Sequence, residues 1–211
     1  MKRWTLVWML VMLCGTTMTF AQESGAGKVE VGFFPGGAMF FVGGDGDREA
    51  NFNNFTSGGF ASWNLSRLLG LEAEGSFGLG ISQDVTYGHQ SVRYIPVPAL
   101  RSFGANAVVF PQGSNRKFVP YLTGGAGLLR ITDRETTAQF GLTSPENFVA
   151  SNFGGGLRMY RSGTGLQGWG GRVDYRLFSI GKKDDAAAFF AKSKRRMGHR
   201  VYVGFMYTLK R

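Results

Sequence analysis

The stretch W-G-G-R-V-D-Y-R-L-F, Trp169 to Phe178, alternates in character: Arg172, Asp174 and Arg176 fall on every second residue, with Val173, Tyr175 and Leu177 between them. Strand side chains point to opposite faces with a period of two, so the segment predicts a strand with one ionic and one apolar face. The same two-faced pattern recurs along the chain. It predicts eight strands, at residues 29–41, 57–65, 69–81, 99–110, 118–131, 148–160, 168–180 and 200–209. Each has room for the roughly 9–11 residues that a tilted transmembrane strand needs. The connections alternate in length. Short ones lie at 66–68, at "PQGSNRK" and at "RSGTGLQ"; long ones lie at "GGDGDREANFNN" and at 82–97, 132–147 and 181–199. Short turns at one end and long loops at the other predict an all-β fold, an eight-stranded antiparallel up-and-down transmembrane β-barrel.

Alternation alone does not say which face is inside, since a soluble lipocalin-type barrel alternates too, with its apolar side chains inward. Three features favour lipid on the outside. Every lysine after the N-terminal segment (Lys28, Lys117, Lys182, Lys183, Lys192, Lys194 and Lys210) falls in a loop or at a strand end, where a water-washed face would carry lysine along its strands. One face is small or polar: Ser62 and Asn64, Ser76 and Gly78, Ser102, Gly104 and Asn106, Asn152, Gly154 and Gly156. Eight strands enclose only enough space for side chains to fill, so that face suits a narrow interior. The opposite face carries Trp63, Leu71, Phe77, Phe103, Val203 and Phe205. Thirdly, the alternation collects Glu30, Glu72, Glu74 and Asp174 inside with Arg158, Arg172, Arg176 and Arg200, four acids against four bases. Facing lipid, an arginine at the midplane costs about 2–4 kcal/mol; in a lumen it pairs with carboxylates. Strand 118–131 has glycines on both faces, and its orientation stays open. Tyr160, Trp169, Phe110 and Phe178 stand near strand ends, where aromatic girdles are expected.

The N-terminus sets the compartment. Lys2 and Arg3, an apolar run from Trp4 to Leu13 and the small residues up to Ala21 read as a secretory signal peptide cut after Ala21, so residues 1–21 are expected to be removed and 22–211 to form the barrel domain. The run is too short for a membrane helix. A lipoprotein reading would use Cys14, but Leu13 stands where a small residue belongs. Removal takes the only cysteine, so no disulfide holds the fold, and the formal charge falls from +10 to +8 with the loss of Lys2 and Arg3.

The phrases "WNLSRLLGLEAEGSFG", "VPYLTGGAGL" and "NFGGGLRMY", with the closing "RVYVGFMYTL", resemble the small OmpA/OmpX-type outer-membrane β-barrel domains over residues 28–209. The resemblance implies periplasmic termini, a lumen plugged by an ionic network, and contact with the barrel assembly machinery during insertion. This chain ends Thr208-Leu209-Lys210-Arg211 where such barrels usually end on an aromatic residue, and it stops at the barrel, without the peptidoglycan-binding domain of larger relatives.

Little of the rest reads as chemistry. In "GHQSV", His89 and Ser91 have the types of a hydrolase pair, but no paired acid is identifiable, and Val92 stands where a lipid A deacylase motif has asparagine. Asp45, Asp47 and Glu49 alternate like the start of a calcium loop, but Ala50 and Thr56 occupy its glycine and closing-glutamate positions. No cofactor, metal or catalytic residue is expected. The segment "DDAAAFFAKSKRRMGH" reads as a short helix from Asp184 and Asp185 to a basic end, Lys192, Lys194, Arg195 and Arg196, placed to meet lipopolysaccharide phosphates. The expected role is a non-enzymatic, porin-like scaffold in the outer membrane of a Gram-negative-type envelope, among lipid and lipopolysaccharide, presenting four loops whose partners cannot be read. Nucleic acid is not an expected partner. A lipid A-modifying barrel enzyme and a soluble periplasmic barrel with an apolar ligand are the alternatives.

Overall fold

The computed structural model describes residues 26–42, 54–80, 82–87, 90–96, 99–114, 116–132, 146–161, 168–180 and 196–209. Ten strands follow in chain order: β1 (Val29–Val42), β2 (Asn54–Asn64), β3 (Leu69–Gly80), β4 (Ser82–Tyr87), β5 (Gln90–Pro96), β6 (Ala99–Val109), β7 (Phe118–Thr132), β8 (Glu146–Tyr160), β9 (Gly168–Ile180) and β10 (Arg196–Thr208). Eight of them close into a barrel in the order β1-β10-β9-β8-β7-β6-β3-β2, with β4 and β5 forming a separate two-stranded sheet. Every pairing around the barrel is antiparallel. Closure removes the sheet edges, so the strand backbone is hydrogen-bonded without help from solvent.

Tight turns set one end of the barrel. Between β2 and β3, the Ser66 hydroxyl accepts from the amides of Leu68 (3.2 Å) and Leu69 (3.0 Å), folding the chain back within three residues. The β6–β7 turn bends at Gly113, whose φ of +80° is cheap only for glycine. Ser114 N–H donates to the Arg67 carbonyl at 2.9 Å, so the two turns brace each other.

Four features differ from the sequence expectation or complete it. The link at 82–97 contains the β4–β5 hairpin, where Val85 pairs with Val92 and Thr86 with Ser91; β-branched and aromatic residues on both arms favour pairing. The last barrel strand begins at Arg196, four residues early, with Arg196 opposite Ile180 and His199 opposite Leu177. Arg196 therefore belongs to a strand and not to a basic helical loop; Gly198 and the surrounding charges hid an alternation that the ladder maintains. β7 resolves its orientation, with Tyr121, Thr123 and Leu129 buried and Leu122, Leu128 and Arg130 exposed. Finally, β1 carries a bulge. Three steps on β1 face two on each neighbour between Phe33 or Phe34 and the following glycines, and Pro35, which has no N–H for the ladder, falls there. The bulge reverses the parity of the strand, so that Phe34 and Met39 both face inward.

Candidate functional site

The lumen is filled in layers around an ionic centre. β1 contributes Glu30, β3 Glu72 and Glu74, β8 Arg158, β9 Arg172, Asp174 and Arg176, and β10 Arg200, each at most 6% exposed. The structure brings all eight together. Glu72 is their hub: Arg172 approaches it through Nη1 (2.5 Å) and Nη2 (3.2 Å), Arg176 through Nη2 (2.6 Å) and Arg158 through Nη2 (3.3 Å), while Ser62 Oγ donates at 2.8 Å. Asp174 accepts from Arg172 Nη2 (2.6 Å) and Arg176 Nε (2.9 Å) and from the Tyr121 hydroxyl. Arg158 also pairs with Glu30, and Arg200 with Glu74. Arginine does not shed its proton in a protein, so four fixed positive charges meet four carboxylates and the buried charge balances.

Aromatic rings complete the layer. Arg172 lies over Phe60 at 4.4 Å and Tyr121 at 4.8 Å, Arg158 over Phe110 at 5.0 Å, and Arg200 over Phe178 at 5.0 Å and Tyr202 at 5.1 Å. Desolvated contacts of this kind contribute about 2 kcal/mol. Glycine makes room for the rings: a Cβ on Gly156 would stand 2.6 Å from the Tyr121 hydroxyl. Tyr160, Phe110 and Phe178 are thus lumen residues and not part of a girdle, which corrects the sequence expectation. Each shares the parity of an inward neighbour (Arg158, Val108 and Arg176), and position near a strand end had outweighed that signal. Sequence reasoning also missed Phe60, Tyr121 and Tyr202, although Phe60 has the parity of Ser62.

Apolar layers close the lumen on both sides of the ions. Val108, Phe110, Val119, Tyr160 and Met206 pack toward the turns, and Met39, Leu100, Leu129, Phe148, Phe178 and Ile180 toward the loops. Between Glu74, Ser102, Asn152 and Arg176 a void of about 20 Å³ remains, enough for about one water. Among the described residues, the lumen is a packed core.

The wall has the opposite character. Phe33, Phe77, Phe103, Leu128, Val149, Phe153, Val203 and Phe205 are 48–67% exposed. At the turn end, Trp63, Phe118, Trp169 and Tyr207 all face outward within two residues of a strand end, with the Trp169 and Tyr207 rings 5.1 Å apart. Toward the loops, His199 stacks on Phe40 at 5.6 Å and shares a hydrogen bond with the Tyr175 hydroxyl at 2.6 Å. Among the described residues, two charges interrupt the apolar wall, Arg101 and Arg130. They are exposed, face each other directly across β6 and β7, and lie close to the loop ends of both strands. The outward parity of Phe103 and Ala105 pointed to Arg101, and the open orientation of 118–131 concealed Arg130.

Of the remaining sequence candidates, Ser91 lies on β5. His89, Asp45, Asp47, Glu49, Lys192, Lys194, Arg195 and the leader at 1–21 lie outside the described residues. Among the described residues, no group of three His, Cys, Asp or Glu side chains is arranged to hold a metal.

No protein-family model matches the chain, and no curated protein sequence is significantly similar to it. Solved structures are. One is Neisserial surface protein A, at 14% identity and TM-score 0.58, over 89% of this chain and 100% of that one. Another is the outer membrane protein OprG from Pseudomonas aeruginosa, at 14% identity and TM-score 0.50, over 90% and 99%. The fold is that of the small eight-stranded outer-membrane barrels. At this identity the likeness concerns architecture, and the apolar wall and ionic lumen speak for this chain by themselves.

Proposed function

We propose that this protein is a non-enzymatic scaffold of the cell outer membrane, exported by a cleaved signal peptide and inserted by the barrel assembly machinery, with its turns in the periplasm and its four long loops outside the cell for surface interaction or adhesion. The observation that carries this reading is the division of the barrel into an apolar wall and a closed, charge-balanced lumen. A packed interior serves rigidity better than transport, and rigid scaffolds display variable loops. The direct test uses the cysteine count: Cys14 is the only cysteine of the whole chain, so the mature barrel has none. A single Gln90→Cys in the β4–β5 hairpin reacts with a membrane-impermeant maleimide on intact cells, and Gln112→Cys in the β6–β7 turn reacts only after lysis. The reverse pattern would overturn the orientation, and reaction of neither before lysis would overturn the location.

Lipopolysaccharide is the proposed lipid partner outside. Lys192, Lys194 and Arg195 remain candidates with Arg196 at the head of β10, and the wall pair Arg101 and Arg130 gives the stronger argument. Like charges directly opposed across a ladder repel, and neither has an acidic partner among the described residues, so a phosphate between them relieves the repulsion. Each cation near an anionic surface gains about 1 kcal/mol. The double substitution R101Q/R130Q is expected to weaken retention of lipopolysaccharide by the purified barrel about fivefold or more. Unchanged retention would remove this contact.

A further inference from the structure

The net charge of the chain is concentrated at one place. The lumen holds four bases against four acids, and the four long loops, with Glu146 and Arg196 at their borders, hold nine of each. Beyond the Arg101–Arg130 pair, the surplus among the described residues sits at the turn end. Arg67 in the β2–β3 turn, Arg116 and Lys117 just before β7, and Arg161 just after β8 are all exposed, and half-buried Lys28 stands at the same end. None of the three turns contains an aspartate or glutamate.

We propose that this basic collar is a docking surface for the phosphate headgroups of anionic phospholipid in the leaflet at the turn end. Three observations select a lipid surface over a soluble partner. The turns are short, so the cations stay within a few residues of the strand ends, at headgroup height. The collar borders the outward girdle of Trp63, Phe118, Trp169 and Tyr207, residues suited to the membrane interface. Lys117 Nζ lies 5.8 Å from the centre of the outward-facing Phe118 ring, so its charge lies along the wall and does not project away from it. In the orientation proposed above, on which this inference rests, that leaflet is the inner, phospholipid one.

The chain carries its own reporters. Trp4 and Trp8 leave with the leader, and Trp63 and Trp169, the two that remain, both stand beside the collar. The barrel is reconstituted in phosphatidylcholine vesicles with increasing fractions of brominated phosphatidylglycerol or brominated phosphatidylcholine, and tryptophan quenching gives the relative binding of each lipid. Both leaflets have one composition, so the result reports on the collar whichever way the barrel is inserted, and the labelling experiment tests orientation separately. The expected result is a preference for phosphatidylglycerol of about fivefold or more, falling toward parity in about 0.5 M salt. The R67Q/R116Q/K117Q/R161Q variant is expected to lose the preference, and the R67K/R116K/R161K variant to keep it. Equal quenching by the two lipids in the unsubstituted protein, a preference indifferent to salt, or one that survives the four neutral substitutions would each overturn the proposal. So would a variant that keeps the lipid preference but no longer sediments with peptidoglycan sacculi, because the collar would then serve the wall polymer.

Discussion

Glu72→Gln is expected to destabilise the barrel by about 3–5 kcal/mol, the cost of leaving buried charge without its partner. Glu72 lies at salt-bridge distance from Arg158, Arg172 and Arg176 at once, and it is 2% exposed. Glutamine keeps the shape and part of the hydrogen bonding and removes the charge, so four guanidiniums are left to share Glu30, Asp174 and Glu74. The lumen then carries a net positive charge in a space closed on both sides by apolar layers. Urea unfolding in lipid vesicles, followed by tryptophan emission and by gel mobility of unboiled samples, measures the loss. In E72Q/R172Q the balance is restored, and the double variant is expected to lose less than the sum of the two single ones. A loss below about 1 kcal/mol for Glu72→Gln would mean that water reaches these groups and that the network is not a closed core.

Much of this centre was legible in the sequence because two constraints met on it. Arg172, Asp174 and Arg176 alternate with Val173, Tyr175 and Leu177, and Glu72 and Glu74 alternate with Leu71 and Ala73. The cost of charge in lipid then sets which face is inward. The aromatic residues were harder to place because a ring is at home on either face. Tyr160 near a strand end reads equally as girdle and as plug, and only its parity with Arg158 separates the two. Pro35 defeats alternation: a reading that continues from Glu30 puts Ala38 and Phe40 inward, and the bulge turns both of them outward. The charges on Arg196 and the glycine at 198 masked the start of β10. Arg101 and Arg130 form a pair only through the β6–β7 register, which no local pattern encodes.

The second large effect bears on the wall. Ala105 is the central outward position of β6, between Phe103 and Ala107, and it lies in register with Ala73 on one side and Ala126 on the other. The surroundings are small, so an arginine fits sterically and its cost arises from the medium it enters. In lipid the substitution Ala105→Arg is expected to cost about 2–4 kcal/mol at the midplane. Arginine is already present on the same face four residues nearer the loops, at Arg101, where the interface tolerates it. The depth dependence separates a lipid penalty from a packing defect: Val109→Arg, at the turn end of the same strand, is expected to cost about 0–1 kcal/mol. The same barrel with water in place of lipid around its wall gives the opposite expectation, since arginine on a water-washed wall is nearly neutral.

The most direct measurement is therefore the difference in unfolding free energy between Ala105→Arg and Val109→Arg in lipid vesicles. A penalty of about 2 kcal/mol or more at Ala105 that fades at Val109 is the result expected of a wall that faces acyl chains, and equal, negligible penalties at both positions would contradict it.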